Sequence, residues 1–391
     1  VTLPLPNSSE QKYSDILKTI LRDRISLSGG WISFADYMDI VLYTPEAGYY
    51  SGGAAKFGAA GDFVTSPEIS PLFGQTLARQ VAQVLRSVNH GSILEFGAGS
   101  GKLAVDLLLA LEALESLPEY YNILDLSADL QQRQQAIIKQ RIPHLAARVQ
   151  WLTALPDQFK GLIFANEVLD AMPVHLVVWK NGNIAERGVI WKDYELAWQD
   201  QPLTEGELLN VARQLPPSDQ PSFPHPYISE ISLANRHFIH SLASILQQGA
   251  ILLVDYGFGQ SEYYHPQRHQ GTLMCHYRHH AHDDPLFLPG LQDITSHVDF
   301  SAISRIALDS GLQLAGYTTQ AHFLINCGIT DLLAHTPADQ PGIYLPLVSQ
   351  AQCLISPAEM GELFKVMILN KAINIDTTSC GFMRGDLRHL L

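Results

Sequence analysis

The chain has 391 residues, of which 46% are hydrophobic and 16% charged, and a formal net charge of −14. That balance fits one large globular domain with insertions, or two domains, and the acidity argues against an extended nucleic-acid surface; it reads first as solubility, with a basic partner as the alternative. The four cysteines, Cys275, Cys327, Cys353 and Cys380, form no CxxC pair, which sets aside a zinc ribbon or disulfide framework and fits a reducing compartment.

No apolar run reaches the roughly 20 residues of a membrane span. The opening VTLPLPNSSEQKYSD has neither the basic start and apolar stretch of a signal peptide nor the Arg-rich helix of a transit peptide. Helical spacing of Ile16, Ile20 and Leu21 predicts a helix over about 9–27, and a second helix follows in ISFADYMDIVLY with Ser33 as its cap. The stretch TPEAGYYSGGAAKFGAAGDFVTSPEISPLFG is rich in Gly, Pro and Ser; its aromatics Tyr49, Tyr50, Phe57 and Phe63 predict an ordered binding loop. The pattern then becomes regular. An amphipathic helix over 75–88 leads to the strand ILEF (93–96), a helix over 102–114 and the strand NILDL (122–126). A Gln-rich helix over 129–141 and the strands VQWL (149–152) and GLIFAN (161–166) follow. Strands alternating with helices imply βαβ units and a parallel, doubly wound sheet.

After Pro173 the order loosens. HLVVWKNGNIAERGVIW reads as two strands joined at Asn181-Gly182, a strong hairpin signal. A proline-rich connection (214–226), a helix over 229–246 and a buried strand AILLVDYGF (250–258) come next. A helix over 299–312 then meets the strand QLAGYTT at Gly311, a C-cap signal, and FKVMILNK (364–371) is the last strand. This gives an N-terminal helical segment with a covering loop over 1–75 and a core over 76–391. The core carries insertions at about 174–228, 259–298 and 320–362.

The first chemistry-bearing motif is ILEFGAGSGKLAVDLLLAL. A P-loop is excluded, because Gly97 and Gly101 have three residues between them and Leu103, not a hydroxyl residue, follows Lys102. The dinucleotide fingerprint fits poorly, since the third glycine comes one residue early. S-adenosylmethionine carries no pyrophosphate, and Gly97, Gly99 and Gly101 would let the backbone pack under its methionine and ribose. The helix N-terminus offers N–H groups to the methionine carboxylate. Glu95 stands where it can meet the ammonium group, and Asp125, ending the second strand, where it can take the ribose hydroxyls. A tight turn without a ligand is the competing reading.

The second motif is FANEVLDAMPV at the end of the fourth strand. Asn166 and Glu167 end a parallel strand beside the cofactor crevice, and Asp170 follows three residues later, on the same face if the segment is a helical turn. Paired carboxylates suit a planar guanidinium; acids at a helix N-terminus are the alternative. In DITSHVDF, His297 with Asp293 and Asp299 either positions substrate and relays a proton or belongs to a capped helix-entry loop. HYRHHAHDDP crowds too many ligands together for a tetrahedral site and reads as a polar loop, so no metal is expected. Tyr49 and Tyr50 fit adenine stacking and core equally.

These segments together resemble the MidA-like family of S-adenosylmethionine-dependent methyltransferases, which includes the mitochondrial complex I assembly factor acting on a protein arginine. The likeness runs along nearly the whole chain, and GDFVTSPEISPLFG and NEVLDAMPV are its most specific parts. The family usually has Glu at the place of Asp125 and a proline in the glycine loop, read here as GAGSG. The resemblance implies an α/β Rossmann-like methyltransferase core with a mostly parallel seven-stranded sheet and S-adenosyl-L-methionine as cofactor. It makes Gly97, Gly99 and Gly101 the cofactor loop and Asp125 the ribose ligand. Thr65 and Ser66 join the loop that closes over the cofactor, and Asn166, Glu167 and Asp170 lie beside the transferring methyl. The implied substrate is a protein arginine, on a respiratory complex I subunit, in the cytoplasm of a bacterium or the mitochondrial matrix. A small-molecule methyltransferase and a non-catalytic assembly factor on the same fold remain as alternatives.

Overall fold

The computed structural model describes residues 3–51, 65–218, 223–337, 339–375 and 380–391. The chain forms two compact units, one of Val1–Phe63, Asp170–His237 and Gly259–His297, the other of Val64–Leu169, Phe238–Phe258 and Val298–Leu391.

The second unit is built on seven strands: β1 (Ser92–Phe96), β2 (Tyr121–Leu124), β3 (Val149–Leu152), β4 (Phe159–Asn166), β5 (Leu246–Phe258), β6 (Gln313–Thr319) and β7 (Phe364–Lys371). Their spatial order is β3-β2-β1-β4-β5-β7-β6, with the two-residue strand Val298–Asp299 also paired to β5. All neighbouring pairs from β3 to β5 are parallel, and β7 runs antiparallel to both β5 and β6. Such a sheet is covered on both faces, so its strands read as continuous apolar runs rather than alternating ones. Ile93, Leu94, Ile163, Phe164, Leu252 and Leu253 are all fully buried. The chain order implies the parallel part of this sheet, and the family resemblance the Rossmann-like, mostly parallel seven-stranded whole.

Three helices matter for the site. α1 (Pro71–Arg86) begins four residues before the periodic apolar stripe, because Ser70 accepts from the Leu72 N–H and Pro71 occupies the first turn. α2 (Lys102–Ala113) follows the glycine loop, and α3 (Ala128–Arg141) is capped by Ser127, which accepts from Leu130 N–H.

The first unit carries an antiparallel sheet in the order Ile32–Ser33, Asn183–Lys192, His175–Lys180, Tyr227–Ile231, with Glu195–Pro202 paired to the second of these. Asn181 and Gly182 both have positive φ, 52° and 80°, the signature of a type I′ hairpin turn. Residues 229–231, expected to start a helix, instead finish the strand Tyr227–Ile231 and pair with His175–Val177. The helix starts at Leu233, after Ser232 accepts the Asn235 N–H. A three-stranded sheet of Met274–Tyr277, His280–His282 and Asp293–Thr295 fills part of the expected insertion. Phe34, Tyr37, Met38 and Val41 of the helix Phe34–Tyr43 bury against Leu176 and Val189. No described helix is long and apolar enough to cross a membrane.

Candidate functional site

Open α/β sheets bind ligands at the carboxyl ends of the strands where the strand order reverses. Here that point lies between β1 and β4, which pair in register with Phe96 opposite Ala165. The glycine loop leaves the end of β1, and Asn166-Glu167 leaves the end of β4.

The loop Gly97–Gly101 is a chain of left-handed turns. Gly97, Gly99 and Gly101 have φ of 61°, 53° and 82°, a region that costs other residues about 1–2 kcal/mol each. Among the described residues a Cβ on Gly99 would meet no atom within 4 Å, whereas one on Gly101 would press on the Gln134 backbone at 3.1 Å. Two of the glycines therefore serve different ends: Gly101 lets α2 approach α3, and Gly99 presents bare backbone to open space. Gly101 also caps α2 without a side-chain hydrogen bond; the Lys102 N–H donates to Ser100 Oγ at 3.3 Å, and the helix N-terminus lies beside the loop.

Below the loop, Glu95 is 2% exposed and its Oε2 accepts from the Tyr121 hydroxyl at 2.8 Å. Burial pushes its carboxyl up to about 7, against the lowering effect of the Tyr121 bond, and the nearby Asp125 charge adds to the rise. Asp125 follows β2. Its Oδ1 accepts the Ser127 N–H and its Oδ2 the Gln134 side-chain amide, both at 2.9 Å. Burial raises its carboxyl, and those two donors pull it back towards the ionised form. A held carboxylate with lone pairs to spare suits a vicinal diol.

At the end of β4, Asn166 donates from Nδ2 to Glu167 Oε1 at 3.0 Å, and the Ser66 backbone N–H approaches the same oxygen at 3.4 Å. Among the described residues no donor reaches the buried Oδ1 of Asn166. Glu167 has φ of 53°, and its N–H donates to Val254 O on β5 at 2.9 Å. The helical turn expected to align Glu167 with Asp170 is not formed, since a left-handed residue leaves the helical path. Strain of this kind, of order 1–3 kcal/mol, persists only where neighbours over-determine the backbone. Here Asp255, 1% exposed on β5, does so: its Oδ2 accepts the Leu169 N–H at 2.9 Å.

The expected residues thus fall into two groups. Glu95, Gly97, Gly99, Gly101, Asp125, Thr65, Ser66, Asn166 and Glu167 belong to the second unit. Thr65 precedes the short helix Ser66–Ile69 without capping it through its side chain. Ser66 is fully buried, and its hydroxyl donates to Gln320 Oε1, so it is the Ser66 backbone that faces Glu167. Asp170 and His297 belong to the first unit, where the Asp170 carbonyl accepts the Ser296 N–H and the His297 N–H donates to Thr272 Oγ1. In the same unit Tyr50 donates to Asp293 Oδ1 at 2.7 Å, and Tyr49 is packed edge-on against the Tyr50 ring. Asp299 caps the helix Phe300–Asp309. Phe57 and Phe63 lie outside the described residues.

Gln134, Trp151, Tyr121 and Asp255 also hydrogen-bond at this site, outside the motifs that the sequence offers. Only Asp255 carries a plain signal, a lone acid inside the apolar run ILLVDYGF.

The strand order, the glycine loop at the switch point and the two carboxylates beneath it define an S-adenosylmethionine-dependent methyltransferase. The chain belongs to the S-adenosyl-L-methionine-dependent methyltransferase family whose model matches residues 76–318. It is similar to a crystallised Burkholderia thailandensis protein with S-adenosyl-homocysteine bound, at 47% identity and a TM-score of 0.94 over 100% of both chains. Among curated relatives, the mitochondrial protein arginine methyltransferase NDUFAF7 of Danio rerio is 29% identical over 92% of this chain and 89% of that protein. The human protein of the same name is 27% identical over 88% and 80%.

Proposed function

We propose that this methyltransferase acts on a guanidinium nitrogen of a protein arginine, the activity named for its curated relatives. S-adenosyl-L-methionine supplies an electrophilic sulfonium methyl group. In this reading Gly97, Gly99 and Gly101 lie under its methionine and ribose, Asp125 takes the ribose hydroxyls, and Glu95 faces the ammonium. Thr65 and Ser66 border the site.

The observation that carries the arginine reading is the pair of acceptors at the end of β4: the Glu167 carboxylate and the buried Asn166 Oδ1 that no described donor reaches. A buried acceptor left without a donor costs about 1–3 kcal/mol, and a guanidinium has five N–H donors and no acceptor. Asn166 Oδ1 and Glu167 would hold it in one plane and direct one nitrogen at the methyl. A guanidinium nitrogen becomes nucleophilic only as it gives up a proton, and in this reading Glu167 takes it while S-adenosylhomocysteine leaves. A respiratory complex I subunit, implied by the family resemblance, is the first substrate to try.

Glu167→Gln tests the assignment. It keeps the side-chain shape and removes the charge and the proton acceptor. Methyl transfer should fall by at least about a hundredfold, with S-adenosylhomocysteine affinity measured by calorimetry within about twofold of wild type. Near wild-type turnover would remove Glu167 from the mechanism.

A further inference from the structure

Gln134 sits on α3, outside the glycine loop and the strand-end motifs, yet it is fully buried and both ends of its amide are hydrogen-bonded. Its Oε1 accepts the Trp151 indole N–H at 2.9 Å. An indole nitrogen can only donate, so this bond fixes which end of the amide is oxygen. The NH₂ end must then face the other way, and it donates to the Gly99 carbonyl at 3.0 Å and to Asp125 Oδ2 at 2.9 Å. One side chain, oriented from β3, therefore ties the turn of the glycine loop to the carboxylate after β2. The α3 backbone at the same residue is what a Cβ on Gly101 would press against, so Gln134 also marks where α3 and the loop are in contact.

We propose that Gln134 is the positioning residue of the cofactor site. It holds the Asp125 carboxylate and the Gly99 carbonyl in one geometry, so that the ribose and the methionine portion of the cofactor are recognised together. The proposal rests on the reading of Asp125 as the ribose ligand. The physical reason is preorganisation. With Oδ1 on the Ser127 N–H and Oδ2 on Gln134, the Asp125 carboxylate cannot rotate, and its remaining lone pairs point in fixed directions. Without Gln134 the carboxylate is anchored at one oxygen only, and the loop carbonyl loses its partner.

The test is calorimetry on the full chain with S-adenosylhomocysteine and its 2′-deoxy analogue, for wild type, Gln134→Leu, Gln134→Glu and Asp125→Ala. Wild type should prefer the ribose form by about tenfold, the worth of one hydrogen bond to a charged group. Gln134→Leu should bind S-adenosylhomocysteine at least about tenfold more weakly and discriminate between the two ligands by no more than about twofold. Gln134→Glu keeps the acceptor for Trp151, so it guards against a folding defect, but it sets a second carboxylate against Asp125. Its deficit relative to wild type should shrink as pH falls from 8 to 6, because a proton shared by the two carboxylates restores the donor. A merely structural role would weaken both ligands equally and leave that pH trend absent; either result overturns the proposal. If Asp125→Ala weakens binding and a folded Gln134→Leu does not, the proposal alone fails. If Asp125→Ala binds like wild type, the ribose reading fails, and the role of Gln134 falls with it.

Discussion

Glu95→Gln gives the sharpest stability test. Burial raises the Glu95 carboxyl from an ordinary 4.5 to about 7. The folded protein therefore holds this proton more tightly than the unfolded chain does. Between those two pH values the folded state binds more protons, so raising the pH costs stability. The stabilising contribution of the neutral carboxyl is complete below about pH 4.5 and gone above about pH 7, a loss of about 3 kcal/mol. Glutamine cannot ionise, and its amide oxygen can still accept from Tyr121. Urea unfolding of the cofactor-free protein should show wild type and Glu95→Gln equally stable near pH 4 and the variant more stable by up to about 3 kcal/mol at pH 8. A cofactor ammonium facing Glu95 favours the ionised carboxylate. S-adenosylhomocysteine should thus bind wild type with release of a large fraction of a proton near pH 6, read from calorimetry in buffers of different ionisation enthalpy. Glu95→Gln should release none. Parallel stability profiles for the two proteins, with equal proton release, would refute the reasoning.

Gly99→Val fills the open space above the loop and forces a β-branched residue to φ of 53°; S-adenosylhomocysteine binding should be abolished by calorimetry while circular dichroism shows a folded protein. Asp255→Asn replaces one acceptor oxygen with a donor facing an N–H, and so loosens the turn that keeps Glu167 left-handed. It should slow methyl transfer at least about tenfold and leave cofactor affinity within about twofold. Its effect should be largely absent in a Glu167→Gln background, because both changes act on the same turn.

The sheet was legible because its strands are buried on both faces and read as short apolar runs between helical periods; ILEF, VQWL and GLIFAN fall on β1, β3 and β4. The places of Glu95 and the three glycines, at the end of β1 and in the loop before α2, were equally readable, since each follows from its distance along the chain to a strand end. The local geometry of NEVLD was not. An acidic pair three apart looks helical, and the positive φ of Glu167 is imposed by Val254 and Asp255, about ninety residues further on. Gln134 was hidden for a related reason. It is one of several glutamines on α3, and only packing against Trp151 and Gly99 singles it out. Residues 229–231 read as the start of the helix because their apolar spacing suits either period; pairing with His175–Val177 makes them the end of a strand.

Product analysis decides whether the methyl group reaches arginine. The full chain should be incubated with methyl-labelled S-adenosylmethionine and a protein extract that includes respiratory complex I subunits. The labelled protein is then hydrolysed to amino acids and the label located by chromatography. Label is expected in a methylated arginine, and none when Glu167→Gln replaces wild type. Label confined to small molecules, or to another amino acid in the hydrolysate, would contradict it.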